Sequence, residues 1–379
     1  MSGRVRDADT LIATARAATG LEDLGDDAFR EWLELLIDSA NADIDFHGSG
    51  VDVVEGTIVR SLSNRLQVEQ WYRDHPETAD TTITGPVLIT GLPRSGTTAL
   101  VGMLAQDRAF RALRGWEAAQ PCPPPQLGQE DDDARVDAAR ALADAMPPEI
   151  VAMHIVDPLG PEEDHDVLNL GFCAAHFSGF WPVYRYPNEW LHADMAPAFA
   201  YHERVLKLLG SRRPPSDWLL KQPLHVFSLE AFAARYPDAR FVMTHRDPAK
   251  TIPSVCSLMS WSYQTVTEKI DLERHGRFQL DYWAEGISRA LAAREKIGEH
   301  RFVDVVHHDL VADPEREIAR IYDYLDREPT DDARTAISAY IVEHRSDAAS
   351  AHAYTAEEFG LRASDIRSAF SEYVSRFDL

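Results

Sequence analysis

The sequence is short of positive charge, of cysteine and of long apolar runs. Against 62 acidic residues stand 38 lysines and arginines, a formal net charge of -24. Such a surface repels a phosphate polymer, which excludes DNA and RNA as generic partners. It does not exclude a small anion, because a local nest of N–H groups and arginines overrides a distant field. Three cysteines (Cys122, Cys173, Cys256) are too few, and odd in number, for a disulfide framework. They read as small buried hydrophobes. No stretch reaches the roughly 18 apolar residues that cross a bilayer. The charged N-terminus MSGRVRDADTLIATARAATG has no signal-peptide core. The expectation is a cytoplasmic protein with reduced thiols and no transmembrane segment.

One further absence is local. Residues 87–98 read VLITGLPRSGTT. Val87 to Thr90 is an apolar, β-branched run of the kind that forms a buried strand. Gly91 opens a loop, and Thr97 and Thr98 begin a helical stretch, TTALVGMLAQD. The frame from Gly91 to Thr98 is that of the phosphate loop G-x-x-x-x-G-K-[ST], with Thr97 where the lysine belongs. ATP-using enzymes set that lysine on the β/γ-phosphates. Here the strong cation of the loop is Arg94, a planar fork suited to tetrahedral oxyanions. The backbone N–H groups of Ser95, Gly96, Thr97 and Thr98 face an anion at a helix N-terminus. A phosphorylated nucleotide is expected, handled otherwise than ATP.

Strand-like runs recur in DWLLKQP (217–223), ARFVMTH (239–245) and RFVDVVHH (301–308), separated by helical patterns at 97–106, 227–236 and 277–299. This alternation predicts an α/β fold, a P-loop-type central parallel sheet flanked by helices. Helical additions are expected at both ends. Residues 1–80 read as a helical region packed on the core, with Phe29, Trp32, Leu33, Leu36 and Ile37 on one face. Residues 81–379 form the α/β domain, with a helical acceptor-side insertion at 120–215. Asp313 and Pro314 read as N-cap and first residue of a helix. Ser364 reads as the cap of a C-terminal helix whose Ile366, Phe370, Tyr373, Val374 and Phe377 share a face. The segment 121–135, Pro-rich and then acidic, reads as a surface loop, either functional or simply solvated. The aromatics at 165–190 are either core or one wall of an acceptor pocket.

Three more positions carry potential chemistry. Arg246 and Ser254 follow the strand FVMTH, at the carboxyl edge where open α/β sheets bind ligands. Together they can clamp a second phosphate. Lys221 ends the strand DWLLK and faces the same crevice, where it can neutralise charge on a bridging oxygen. Glu117, in RALRGWEAAQP, can take a proton from an acceptor hydroxyl. No residues stand at metal-ligand spacing, so no metal is expected.

In order, spacing and context, GLPRSGTT, LLKQPLHVF and FVMTHRDPAKTIPS resemble the sulfotransferase superfamily. They are most similar to a bacterial branch with a PRSGTT loop and more distantly to tyrosylprotein sulfotransferases. The likeness covers about residues 85–325, and HAYTAEEFGL (352–361) resembles the bacterial branch as well. It implies 3'-phosphoadenosine-5'-phosphosulfate as donor, with the 5'-phosphosulfate on Arg94 to Thr98 and the 3'-phosphate on Arg246 and Ser254. Lys221 then matches the lysine that stabilises the transferring sulfuryl group. Glu117 falls near the glutamate base of the tyrosylprotein branch, a couple of residues later than the pattern. His225 is a rival base, and His154 and His165 lie in the acceptor region. His307 stands where relatives carry a tyrosine beside the adenine, and no R-K-G motif follows. The expected acceptor is a small hydroxyl compound, apolar and possibly lipid-like. Two other readings remain: a kinase-like transferase using ATP, and a nucleotide-binding relative without turnover. Oligomeric state is not readable.

Overall fold

The computed structural model describes residues 3–129, 132–144, 157, 159–344 and 354–379. Three helices open the chain: α1 (Ala8–Thr19), α2 (Ala28–Asp43) and α3 (Gly50–Asp74). Asp7 caps α1 by accepting from the Thr10 N–H at 2.8 Å, and Gly20 ends it in the left-handed region at φ 69°. Phe29, Leu33, Leu36 and Ile37 of α2 are buried, with Trp32 half-buried beside them. Buried Arg65 ties α3 to the remainder of the chain, donating to the carbonyls of Leu24 (2.6 Å) and Leu170 (3.3 Å).

Five parallel strands follow: β1 (Thr84–Gly91), β2 (Phe110–Ala112), β3 (Asp217–Lys221), β4 (Arg240–His245) and β5 (Phe302–Val306). Their spatial order is β2-β3-β1-β4-β5. The period of two along each strand divides the side chains between two cores. Leu88, Leu220, Phe241 and Met243 face one core, which extends into the N-terminal helices through Leu33 and Leu62. Val87, Ile89, Leu219, Val242 and Val305 face the other, against Leu100 of α4 (Thr97–Leu104), Ile318 and Ile337. A parallel sheet covered on both faces accounts for the near-continuous apolar runs.

Four of the five strands coincide with the sequence expectation; β2 does not. It is three residues long with Arg111 at its centre, so it carries no apolar run. The Asp313 cap is present, accepting from the Arg316 N–H at 3.1 Å, with Pro314 first in the helix Pro314–Tyr324. The Ser364 cap is not. Ser364 lies inside Ala363–Ala369, and a second short helix, Ser371–Phe377, follows after Phe370. The proposed surface loop divides in two: Pro121, Cys122, Pro124 and Pro125 are buried, and residues 126–129 are exposed. The aromatics Phe172, Phe177, Trp181, Tyr186 and Trp190 are buried, whereas Phe180 is exposed. Among the described residues, no helix is long and apolar enough to cross a membrane.

Candidate active site

The order of the strands assembles the site. β1 lies between β3 and β4, with Ile89 opposite Lys221 and Gly91 opposite Thr244. The loop after β1 therefore emerges between Lys221 on one side and Arg246 on the other. This is the crevice at the carboxyl ends of the strands, where the direction of winding reverses. Gly91 holds φ 141° and leaves no room for a Cβ, which would run into the Thr244 carbonyl. Gly96 holds φ 100° at the start of α4. Arg94 sits at φ 65°, a conformation that costs a non-glycine residue about 1–3 kcal/mol and recurs at functional sites. The Ser95 hydroxyl turns inward, bonded to the Leu92 carbonyl at 2.5 Å and to Thr244 Oγ1 at 2.6 Å. It braces the loop on β4.

Arg94, Arg246 and Ser254, far apart in the chain, form one cluster. Arg94 Nε donates to Ser254 Oγ at 3.2 Å, and Arg246 Nη1 donates to the Arg94 carbonyl at 2.7 Å. Ser254 rides on the helix Pro248–Tyr263, whose cap Asp247 accepts from the Ala249 N–H at 2.9 Å. Burial first, and the neighbouring Arg94 charge after it, work against the Arg246 cation, with Tyr354 opposing. An anion between the two guanidiniums relieves that repulsion. His307 packs beside Gly96. Burial, with Arg246 and Lys250 behind it, brings its imidazole down to about 4, so the ring is neutral at pH 7.

Lys221 is 1% exposed, and its Nζ donates to Glu163 Oε1 at 2.7 Å. Glu163 arrives from a segment that runs alongside the end of β2. The Glu162 N–H donates to the Leu113 carbonyl at 2.8 Å, and the Asp164 N–H to the Lys221 carbonyl at 3.4 Å. The second Glu163 oxygen lies 3.5 Å from His165 Nδ1. Burial alone raises the Glu163 carboxyl, but Lys221 and His165 hold it well below the usual carboxylate range. Burial opposes the His165 cation, yet Asp166, Glu163 and Glu162 lift it to about 9. His165 stacks on His176 at 3.6 Å. Burial and the His165 charge keep His176 neutral. Beside them is a small crevice of about 10 Å³, room for about one water, lined by both histidines, His225, Gln222, Leu168 and Trp190.

The two sequence candidates for a base sit differently from expectation. Glu117, on α5 (Gly115–Ala119), is fully buried. Its Oε2 accepts from Arg111 Nη2 at 2.7 Å and from the Arg114 N–H at 3.3 Å, which makes it a brace between β2 and the turn into α5. His225 is buried too. Its Nε2 meets Asp164 Oδ2 at 2.9 Å, and His202 meets the same oxygen at 3.2 Å. His154 lies outside the described residues. Glu163 and His176 had escaped notice; the signal was the run EEDH at 162–165, three acids and a histidine ahead of an aromatic stretch. Among the described residues, no group of three or more His, Cys, Asp or Glu is placed to hold a metal ion.

A profile described as "Sulfotransferase family" matches residues 86–332, the span from β1 past the helix Pro314–Tyr324. The chain belongs to that family. The sulfotransferase also aligns over nearly its whole length with solved structures. Sulfotransferase STF9 from Mycobacterium avium superposes at TM-score 0.91 with 32% identity, covering 99% of this chain and 97% of that one. Sulfotransferase STF1 from Mycobacterium tuberculosis H37Rv superposes at 0.88 with 30% identity, over 97% and 99%. A curated relative, the omega-hydroxy-beta-dihydromenaquinone-9 sulfotransferase Stf3 of Mycobacterium bovis, is 25% identical over 155 residues. That match spans 37% of the sulfotransferase and about a third (36%) of the relative.

Proposed function

We propose that this sulfotransferase moves the sulfuryl group of 3'-phosphoadenosine-5'-phosphosulfate to the hydroxyl of a small apolar, lipid-like acceptor. The observation that carries the reading is the Arg94–Ser254–Arg246 cluster beside a phosphate loop that has threonine for lysine. The loop N–H groups and Arg94 take the 5'-phosphosulfate. Arg246 and Ser254, one element further along the crevice, take the 3'-phosphate. Lys221, on the opposite flank, stands where negative charge grows on the bridging oxygen as the sulfur–oxygen bond opens. A loose transition state of this kind needs positioning and charge neutralisation above all. The dihydromenaquinone in the name of one relative supports an apolar acceptor.

Isothermal titration with adenosine 3',5'-bisphosphate and with ATP plus magnesium tests the donor. The bisphosphate is expected to bind more tightly; a preference for ATP contradicts the reading and favours a kinase-like transferase. Arg246→Ala removes charged hydrogen bonds worth about 1.5–3 kcal/mol, so bisphosphate binding is expected to weaken roughly tenfold to a hundredfold. The same titration with adenosine 5'-monophosphate, which lacks the 3'-phosphate, is expected to change little.

A further inference from the structure

Resting on the assignment of the 3'-phosphate to Arg246 and Ser254, we propose that Arg367 is a positioning residue for that phosphate, acting through Asp247. This half of the crevice holds an acid where a dianion is to bind. Asp247 follows Arg246 in the chain and caps the helix Pro248–Tyr263, on which Ser254 stands seven residues later. Seven residues make close to two turns, so cap and serine are about 10 Å apart along the helix. An unpartnered carboxylate there would repel a phosphate and offer Arg246 a competing partner. Both of its oxygens are engaged elsewhere. Oδ1 accepts from the Ala249 N–H at 2.9 Å, and Oδ2 accepts from Arg367 Nη2 at 2.6 Å. Arg246 meanwhile donates Nη1 to the Arg94 carbonyl.

The C-terminal helices are anchored so that this guanidinium reaches the cap. Ile366, Phe370 and Tyr373 are buried in the core shared with Ile252 and Val255 of the helix Pro248–Tyr263. The Tyr373 hydroxyl lies 3.2 Å from Nδ1 of His245, the residue before Arg246, and Phe377 stacks on that imidazole at 3.6 Å. Arg367, next to Ile366, faces outward, its side chain 50% exposed against 15% for Asp247. An ion pair this exposed adds little to the stability of the fold. Its effect on a bound anion is larger. Without Arg367, a full negative charge is uncovered beside Arg246. That charge repels the 3'-phosphate, and the freed Oδ2 competes with the phosphate for Arg246. Both effects vanish when residue 247 is neutral.

The test is isothermal titration of the full chain, at low ionic strength, with adenosine 3',5'-bisphosphate and with adenosine 5'-monophosphate. Arg367→Gln is expected to weaken the bisphosphate about three- to tenfold, the order for one screened charge near 10 Å, and to leave the monophosphate nearly unchanged. Salt at about 0.5 M is expected to shrink that loss. Arg367→Lys restores the charge without the planar fork and is expected to recover part of the affinity. Asp247→Asn keeps a capping side chain and is expected to bind the bisphosphate at least as tightly as wild type. In that background Arg367→Gln is expected to change nothing, an outcome that a merely structural role for Arg367 would not give. Arg367→Gln that binds the bisphosphate as wild type does, loses both nucleotides equally, or keeps its loss in the Asp247→Asn background overturns the proposal. Wild-type protein that binds the two nucleotides equally overturns the 3'-phosphate assignment itself, and the proposal with it.

Discussion

Lys221→Met is expected to remove nearly all turnover while leaving the bisphosphate product bound almost as tightly as before. The lysine touches neither Arg246 nor Ser254; its bond is to Glu163, on the far flank of the loop. Its charge therefore matters most where the bridging oxygen becomes an anion. Deleting one preorganised donor at such a position costs about 10²–10³ in kcat, or about 3–4 kcal/mol. The substitution also leaves Glu163 without its cation, so the carboxyl group rises toward an ordinary value, and the expected fall lies at the upper end. Methionine keeps the unbranched stem of the side chain and drops the amine. Single-turnover rates with labelled donor, set beside bisphosphate titration of the same protein, separate the two effects. A parallel loss of binding and rate would mean that Lys221 holds the nucleotide instead.

Asp164→Ala is expected to destabilise the fold by roughly 2–5 kcal/mol, because two buried imidazoles lose their shared acceptor. Asp164 is fully buried, and its Oδ2 joins His225 and His202, the latter also paired with Tyr236 at 2.8 Å. Burial alone raises this carboxyl, but the two histidines hold it below the usual range. A carboxyl lowered on folding contributes stability above its unfolded value, near about 4, and loses it as pH falls toward the folded value. Wild-type protein should lose stability on acidification below about pH 5. In Asp164→Ala that part of the acid slope should flatten. Urea midpoints at several pH values give both quantities. The backbone of the same residue bonds to the Lys221 carbonyl, so a residual loss of activity in the folded variant is expected from displaced Glu163.

What the sequence revealed, and what it concealed, follows from how each residue reaches the crevice. Arg94, Lys221 and Arg246 all stand at the end of an apolar strand. Any parallel sheet brings such ends to one edge, so local pattern was enough. Ser254 came with Arg246 because the helix Pro248–Tyr263 starts directly after it. Glu163 reaches the site through an irregular segment whose pairing with Leu113 and Lys221 is long-range, and no periodicity announces that. β2 was invisible because its central residue is an arginine, bonded to Glu117 within the fold. Glu117 itself was legible as a carboxylate after the loop helix. Its burial was not, because burial depended on the unseen strand. The aromatic stretch was legible only as two alternatives, and the structure buries most of its rings, Trp190 among them, in the core.

The loop without lysine is proposed to serve sulfuryl transfer to an apolar hydroxyl. The most direct measurement is mass spectrometry of a bacterial lipid extract incubated with the enzyme and isotope-labelled 3'-phosphoadenosine-5'-phosphosulfate. A labelled sulfate ester is expected in the organic phase, matched by released adenosine 3',5'-bisphosphate and absent with Lys221→Met. Label that stays on the donor in every extract, from an enzyme that binds the bisphosphate, would contradict it. So would transfer of a phosphoryl group from ATP in its place.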